Sequence, residues 1–219
     1  MNAEPRAWLL GRSLAALSAT ALTMTAFGTA VADDDHDRHM TLQSATFTNG
    51  GTLPLSMINT LPPGAANGQN TCTADGSAGG NASPQLTWKH APHETVSFAV
   101  IAYDVTAQFT HWQIYNIPAG TTSLPANAGT PASVYPQSLN DFFVQADYAG
   151  PCPPKNLMPF SHEYQFTVYA LDKVLKVPNF VDFLPPGPEW LYQELIKDTR
   201  EGHVLASARI VGFYAAVAR

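Results

Sequence analysis

The stretch GPCPPKNLMPFSHEYQFTVYAL, residues 150–171, decides the fold. Pro151, Pro153, Pro154 and Pro159 fill its first half. Proline fixes φ and removes the backbone donor, so this half reads as a rigid loop outside any sheet. The second half changes character at His162. From there His162, Tyr164, Phe166 and Val168 fall on one face of an apolar run, which is the period of a strand. A loop with little freedom to lose thus delivers an imidazole and a phenol to the start of a strand.

The neighbouring sequence supplies partners for that strand. SFAVIAYD, residues 97–104, is β-branched and aromatic and reads as a central strand ending on Asp104. The next strand is expected from His111 to Ile117, stopped by Pro118, with His111, Gln113 and Tyr115 on one face and Trp112, Ile114 and Asn116 on the other. Shorter strands are expected at 45–47 and 53–57, split by Asn49-Gly50-Gly51, and at 85–89; a last one spans 204–214. Residues 189–200 predict a helix. Pro188 suits its first turn, Leu191, Leu195 and Ile196 form its apolar stripe, and Gly202 can stop it. Residues 61–80 and 120–150 read as long loops. With charged residues at 13% and 18 prolines, the composition fits a loop-rich, mainly β protein rather than a helical bundle.

The N-terminus predicts export. Arg6 and Arg12 precede an uncharged run over residues 13–27, and Ala30-Val31-Ala32 is a small-x-small cleavage site. Residues 1–32 are therefore expected to be a signal peptide, and 33–44 a charged, disordered leader. One domain is expected over 45–219. The apolar run is shorter than the roughly 20 residues of a membrane span, and no later segment qualifies. The expected location is the periplasm, with full secretion as the alternative. The two cysteines, Cys72 and Cys152, then read as a disulfide, because the compartment is oxidising and no Cys-x-x-Cys is present. The formal charge of −6 and the absence of a basic patch interleaved with aromatics exclude nucleic acid as a partner.

Singly, the polar residues at strand ends are unremarkable, since a lone Asp is usually a turn residue and a lone His a hydrogen-bonded rim residue. Together they point to a pocket. Asp104 and His111 flank one short connection, and His162 and Tyr164 open another strand. A protonated His and a Tyr hydroxyl donate to phosphate oxygens, and Asp104 can orient a His or accept from an amine. Backbone N–H groups near Gly150 are expected to be open to a ligand. Two His and a carboxylate also suit a divalent metal, but no tightly spaced ligand pair supports one, so neither metal nor cofactor is expected. Gly-x-Ser-x-Gly and phosphate-cradling Gly-rich loops are absent, and no catalytic residue is assigned.

The ordered set of stretches resembles the phosphatidylethanolamine-binding protein family, in its bacterial Raf-kinase-inhibitor-like branch. GNASPQLTW (80–88), SFAVIAYD (97–104), HWQIYNIP (111–118), LND (139–141), YAGPCPP (148–154), HEYQFTVYALD (162–172) and GHVLASARIVGFY (202–214) carry the resemblance. It implies a large antiparallel sheet packed with a smaller sheet, and short helices near the C-terminus. It also implies a small pocket for phosphate or a phosphoethanolamine-type headgroup. By the same resemblance Asp104, His111, His162 and Tyr164 take the pocket roles, Gly150 and Pro151 the rim, and Trp112 a wall. Asn81-Ala82-Ser83, formally a glycosylation sequon, falls in the family's Gly-Asn-x-Ser-Pro turn.

Two departures stand out. Where the family has Asp-Pro-Asp-Ala-Pro, this chain has Asp104-Val105-Thr106-Ala107-Gln108. Where it has His-Arg-Tyr, this chain has His162-Glu163-Tyr164. The missing second Asp and the missing Arg are explained together if those two positions pair. Glu163 is expected to point away from the pocket. The functional expectation is an exported, non-enzymatic binding protein for a small anionic ligand or phospholipid headgroup. The alternatives are a regulator of a protein partner, such as a protease inhibitor, and a metal-dependent hydrolase.

Overall fold

Five strands build the large sheet, in the order β2-β8-β7-β4-β5, and three build a smaller one, β1-β3-β6. The strands are β1 (Thr41–Gln43), β2 (Gly51–Thr52), β3 (Leu86–Lys89), β4 (Ser97–Asp104), β5 (Phe109–Pro118), β6 (Ser123–Leu124), β7 (Ser161–Leu171) and β8 (Val204–Ala215); the helix α1 spans Pro188–Glu201. This computed structural model describes residues 39–60, 70–142, 146–177 and 186–217. The expected signal peptide, residues 33–38 of the leader, 61–69 and 143–145 of the two long loops lie outside the described residues.

The mainly β architecture follows from the alternation of the strands. β7 buries His162, Tyr164, Phe166, Val168 and Ala170 and leaves the residues between them half-exposed. Its buried face, with Phe98, Val100 and Ala102 of β4, packs against Leu42, Leu86, Trp88 and Leu124 of the small sheet. The opposite face of β4 and β5 packs Ala99, Ile101 and Tyr115 against Leu191 and Leu195 of α1. The helix starts on Pro188 and is closed by Gly202 at φ 81°, whose N–H donates to the carbonyls of Asp198 and Thr199. That left-handed φ is one that glycine adopts without a Cβ penalty.

Three expectations need correction. First, the fold begins before residue 45: Thr41–Gln43, expected within the leader, pair antiparallel with β3 and bury Leu42. Second, residues 45–47 and 53–57 are not strands. The ladders fall on either side of them, and after Pro54 the chain turns into a short 3-10 segment, Leu55–Met57. The large sheet is antiparallel apart from β2, which runs parallel to β8. Third, the simple alternation of β5 fails twice. Ala102 faces Trp112 while Tyr103 faces Thr110, so His111 is an extra residue in a bulge; a second irregularity lies between Phe98 and Val100, opposite Ile117 and Ile114. A bulge re-aims the side chains next to it. His111 therefore joins the face of Tyr164, whereas Gln113 and Tyr115 turn to the helix side.

Candidate functional site

The pocket forms where three strand ends meet. Asp104, the last residue of β4, lies opposite Tyr164 on β7 and opposite Phe109 on β5. His162 precedes Tyr164 by two residues and so shares its face. The bulge adds His111. These residues, with Ala107, Phe142, Cys152, Pro153 and Pro154, line a cavity of about 180 Å³. A larger hollow of about 540 Å³ lies elsewhere, on the outward face of the large sheet, among Tyr103, Gln165, Tyr169, Tyr192 and Arg209. It is a solvated sheet face in which Arg209 already donates to Gln165.

The polar atoms of the smaller pocket are tightly assigned. The Asp104 carboxylate accepts from the backbone N–H groups of Thr106 and Ala107 on Oδ1, at 2.9 and 3.0 Å. Its Oδ2 lies 2.6 Å from Nδ1 of His162, and both side chains are buried. Donation from Nδ1 to the carboxylate leaves Nε2 of His162 for other use. His111 is held differently: its Nδ1 lies 2.6 Å from the Ala149 carbonyl, which can only accept, so this nitrogen carries a proton. Burial pushes the His111 pKa down, against the smaller upward pull of the Ala149 carbonyl and the charges of Asp104 and Asp141. Its Nε2 therefore presents a lone pair in the ligand-free protein.

Tyr164 is the unsatisfied member. Its hydroxyl is buried and makes no hydrogen bond of acceptable geometry. Burial and the nearby Asp104 carboxylate push its pKa strongly up, so it stays a phenol. A buried hydroxyl without a partner carries a desolvation penalty of about 1–3 kcal/mol. The rings pack tightly around it: His111 stands at 5.2 Å and His162 at 6.4 Å from Tyr164, and Phe109 lies 5.0 Å from His111 and 4.8 Å from Phe142.

Asp104, His111, His162 and Tyr164 thus meet at one spot, as their placement at strand ends suggests. Three other expected site residues do not line it. Trp112 is fully buried in the core on the far side of the bulge, donating Nε1–H to Gln137 Oε1 at 2.6 Å and packing edge-on to Tyr148. The Gly150 N–H is occupied by Asn81 Oδ1 at 2.7 Å, and a Cβ there would sit 2.1 Å from the Met57 carbonyl oxygen. A glycine is thus required at 150 by backbone-on-backbone packing. Pro151 is buried and accepts from the Asn59 N–H. The lining residues that sequence reasoning missed are mostly apolar. Phe109 was detectable as the residue two before His111; Phe142, which follows the Leu139-Asn140-Asp141 stretch, gave no signal of its own. Among the described residues the lining holds no Lys or Arg. Nor does any group of three His, Cys, Asp or Glu stand where it could hold a metal ion.

The sequence profile of the phosphatidylethanolamine-binding protein family matches residues 43–215. The chain belongs to this family. Its relatives include a UPF0098 protein of Methanothermobacter thermautotrophicus, 39% identical over 142 residues that make up 62% of this chain and 84% of that one. A UPF0098 protein of Aquifex aeolicus is 35% identical over 180 residues, 80% of this chain and 88% of that one. Escherichia coli YbcL, described as a member of the mammalian PEBP family, has a crystal structure that superposes with a TM-score of 0.59 at 31% identity. The match covers 81% of this chain and 99% of that one. The two-sheet architecture with a C-terminal helix is thus the architecture of this family. The disulfide between Cys72 and Cys152 is formed, and Cys152 lines the pocket. Among the described residues, no helix is long and apolar enough to cross a membrane.

Proposed function

We propose that this PEBP-family protein is exported, cleaved after Ala32, and binds a small phosphate-bearing headgroup in the pocket between Asp104, His111, His162 and Tyr164. The observation that carries this reading is the buried Tyr164 hydroxyl, which lies near the Asp104 carboxylate without a well-formed hydrogen bond and lines a cavity left open among the described residues. A phosphate oxygen offers this hydroxyl a well-aligned acceptor in place of the poorly aligned Asp104 carboxylate. His162, whose ring is held through Nδ1 by Asp104, adds a second hydrogen-bonding group to the lining. Lone pairs on Asp104 and His111 favour a ligand that also donates. A phosphoethanolamine-type headgroup offers both signs of charge, and it suits a lining that among the described residues has no Lys or Arg better than bare phosphate does. The apolar rim of Phe109, Phe142, Pro153 and Pro154 accepts the carbon portion of such a group. The reading is binding without turnover.

The test is titration calorimetry with phosphoethanolamine and with inorganic phosphate against wild type, Tyr164→Phe and His162→Ala. Tyr164→Phe should leave the unliganded protein as stable as wild type or more so, because an unsatisfied hydroxyl is removed. It should weaken phosphoethanolamine binding about five- to tenfold, the worth of one hydrogen bond. His162→Ala should abolish binding. Equal affinity in Tyr164→Phe and wild type would end this assignment.

A further inference from the structure

We propose that the Cys72–Cys152 disulfide is a redox control on the pocket, such that reduction loosens the pocket wall and an occupied pocket protects the disulfide from reduction. This rests on the pocket being the ligand site. The two ends of the bridge are held very differently. Cys72 is fully buried; its N–H donates to Asn70 Oδ1 at 3.1 Å, and its carbonyl accepts from the Tyr214 hydroxyl at 3.0 Å. Asn70 is itself tied to the carbonyls of Asn59 and Ser77. Cys152 is half-exposed and lines the pocket, followed by Pro153 and Pro154, which line it too. Beyond the Asn59–Pro151 hydrogen bond, residues 152–160 make none to the rest of the chain among the described residues. The segment cannot easily do so, since Pro153, Pro154 and Pro159 have no N–H. Cys152 packs on the core and Pro153 is buried, but farther on the segment carries exposed Leu157, Met158 and Phe160. Up to the start of β7, the wall formed by Cys152, Pro153 and Pro154 is therefore fixed by the disulfide together with the packing of Cys152 and Pro153.

Accessibility sets the route of reduction. A dithiol approaches from the side of the half-exposed Cys152, and its thiolate attacks Sγ of Cys152. The S–S bond breaks, and Cys72 leaves as a thiolate and takes a proton. The second thiol of the reagent then attacks the mixed disulfide, releasing Cys152 as a thiol and leaving the reagent as a cyclic disulfide. The protein gains two electrons and two protons. A ligand in the pocket covers the sulfur that must be attacked. By reciprocity, if the reduced wall binds the ligand less well, the ligand must oppose reduction by the same factor.

The experiment uses the full mature chain, with dithiothreitol as the dithiol and phosphoethanolamine as the probe. With probe at ten times its Kd, the initial rate of disulfide reduction should fall about tenfold, the fraction of empty pockets setting the rate. The reduced protein, or Cys72→Ser/Cys152→Ser, should bind the probe at least fivefold more weakly. Hydrogen exchange should speed up at Asn59 and Gly150, whose N–H groups tie this loop to Pro151 and Asn81, and remain slow in β4 and β7. A reduction rate that saturating probe does not change would overturn the proposal. So would exchange that rises equally throughout the chain, or nowhere. If oxidised wild type does not bind phosphoethanolamine, the headgroup assignment fails, and the exchange pattern alone decides whether the bridge governs the wall.

Discussion

His111 shows most directly how one residue's surroundings set its chemistry. The bulge in β5 turns its ring into a closed space, and the Ala149 carbonyl fixes the proton on Nδ1. Burial holds its pKa below the ordinary 6.5, so the folded state favours the neutral ring. The unfolded chain, by contrast, takes up a proton as pH falls through about 6.5. Above that pH neither state is charged and this group contributes no pH dependence. Below it the unfolded state binds more protons, so stability falls on acidification. Comparing denaturant midpoints at pH 7.5 and 5.5, wild type should lose on the order of 1 kcal/mol more than His111→Gln. An equal loss in both would show that His111 is not held neutral. This residue was only half legible in the sequence. Its place at a strand end near Asp104 could be read directly. Its face could not, because strict alternation places it with Gln113 and Tyr115, and a bulge is a property of two paired strands rather than of one.

The same division appears among the elements. β4, β7, β8 and α1 were readable to within two residues, because long runs with a clear period and terminal Pro or Gly constrain themselves. The short pieces β1, β2 and β6 were misplaced or missed. Two or three residues carry no period, and their strand state comes from the partner ladder. Gly150 makes a related point: sequence shows that a Cβ is absent but not that the Met57 carbonyl is a neighbour requiring it. The departures at 106 and 163 lie next to each other. Thr106 Oγ1 accepts the Glu163 N–H at 3.0 Å, and the Val105 N–H donates to the Glu163 carbonyl, so the two positions touch. The Glu163 side chain turns to Gln165 and does not line the pocket. An Asp at 106 and an Arg at 163 are therefore placed to pair across the β4–β5 turn and the start of β7. In a double-mutant cycle, Thr106→Asp and Glu163→Arg together should exceed the sum of the single changes by about 0.5–1 kcal/mol of stability, the range of a part-exposed ion pair. Zero coupling would mean that the two departures are unrelated.

For the molecule as a whole, the disulfide and the export reading depend on each other. The bridge joins residues 80 apart, from the loop beside the 3-10 turn to the pocket wall. In the chain-entropy account, closing so long a loop restricts the unfolded ensemble by about 4 kcal/mol. A domain of this kind has only about 5–15 kcal/mol of net stability, so the bridge is a large part of it. Such a contribution exists only where thiols oxidise, which is what a signal peptide cleaved after Ala32 would provide. Urea unfolding of oxidised wild type and of Cys72→Ser/Cys152→Ser should therefore differ by about 4 kcal/mol, with the variant still folded in the absence of urea. The full-length chain, expressed with its own N-terminus in a Gram-negative host, should yield periplasmic protein that begins at Asp33 and has no free thiol. The same chain lacking residues 1–32 should accumulate reduced in the cytosol and match the double-serine variant in stability. A cytosolic product as stable as the oxidised one would show that the fold does not depend on the bridge, and would remove the main physical reason to place this protein outside the cytosol.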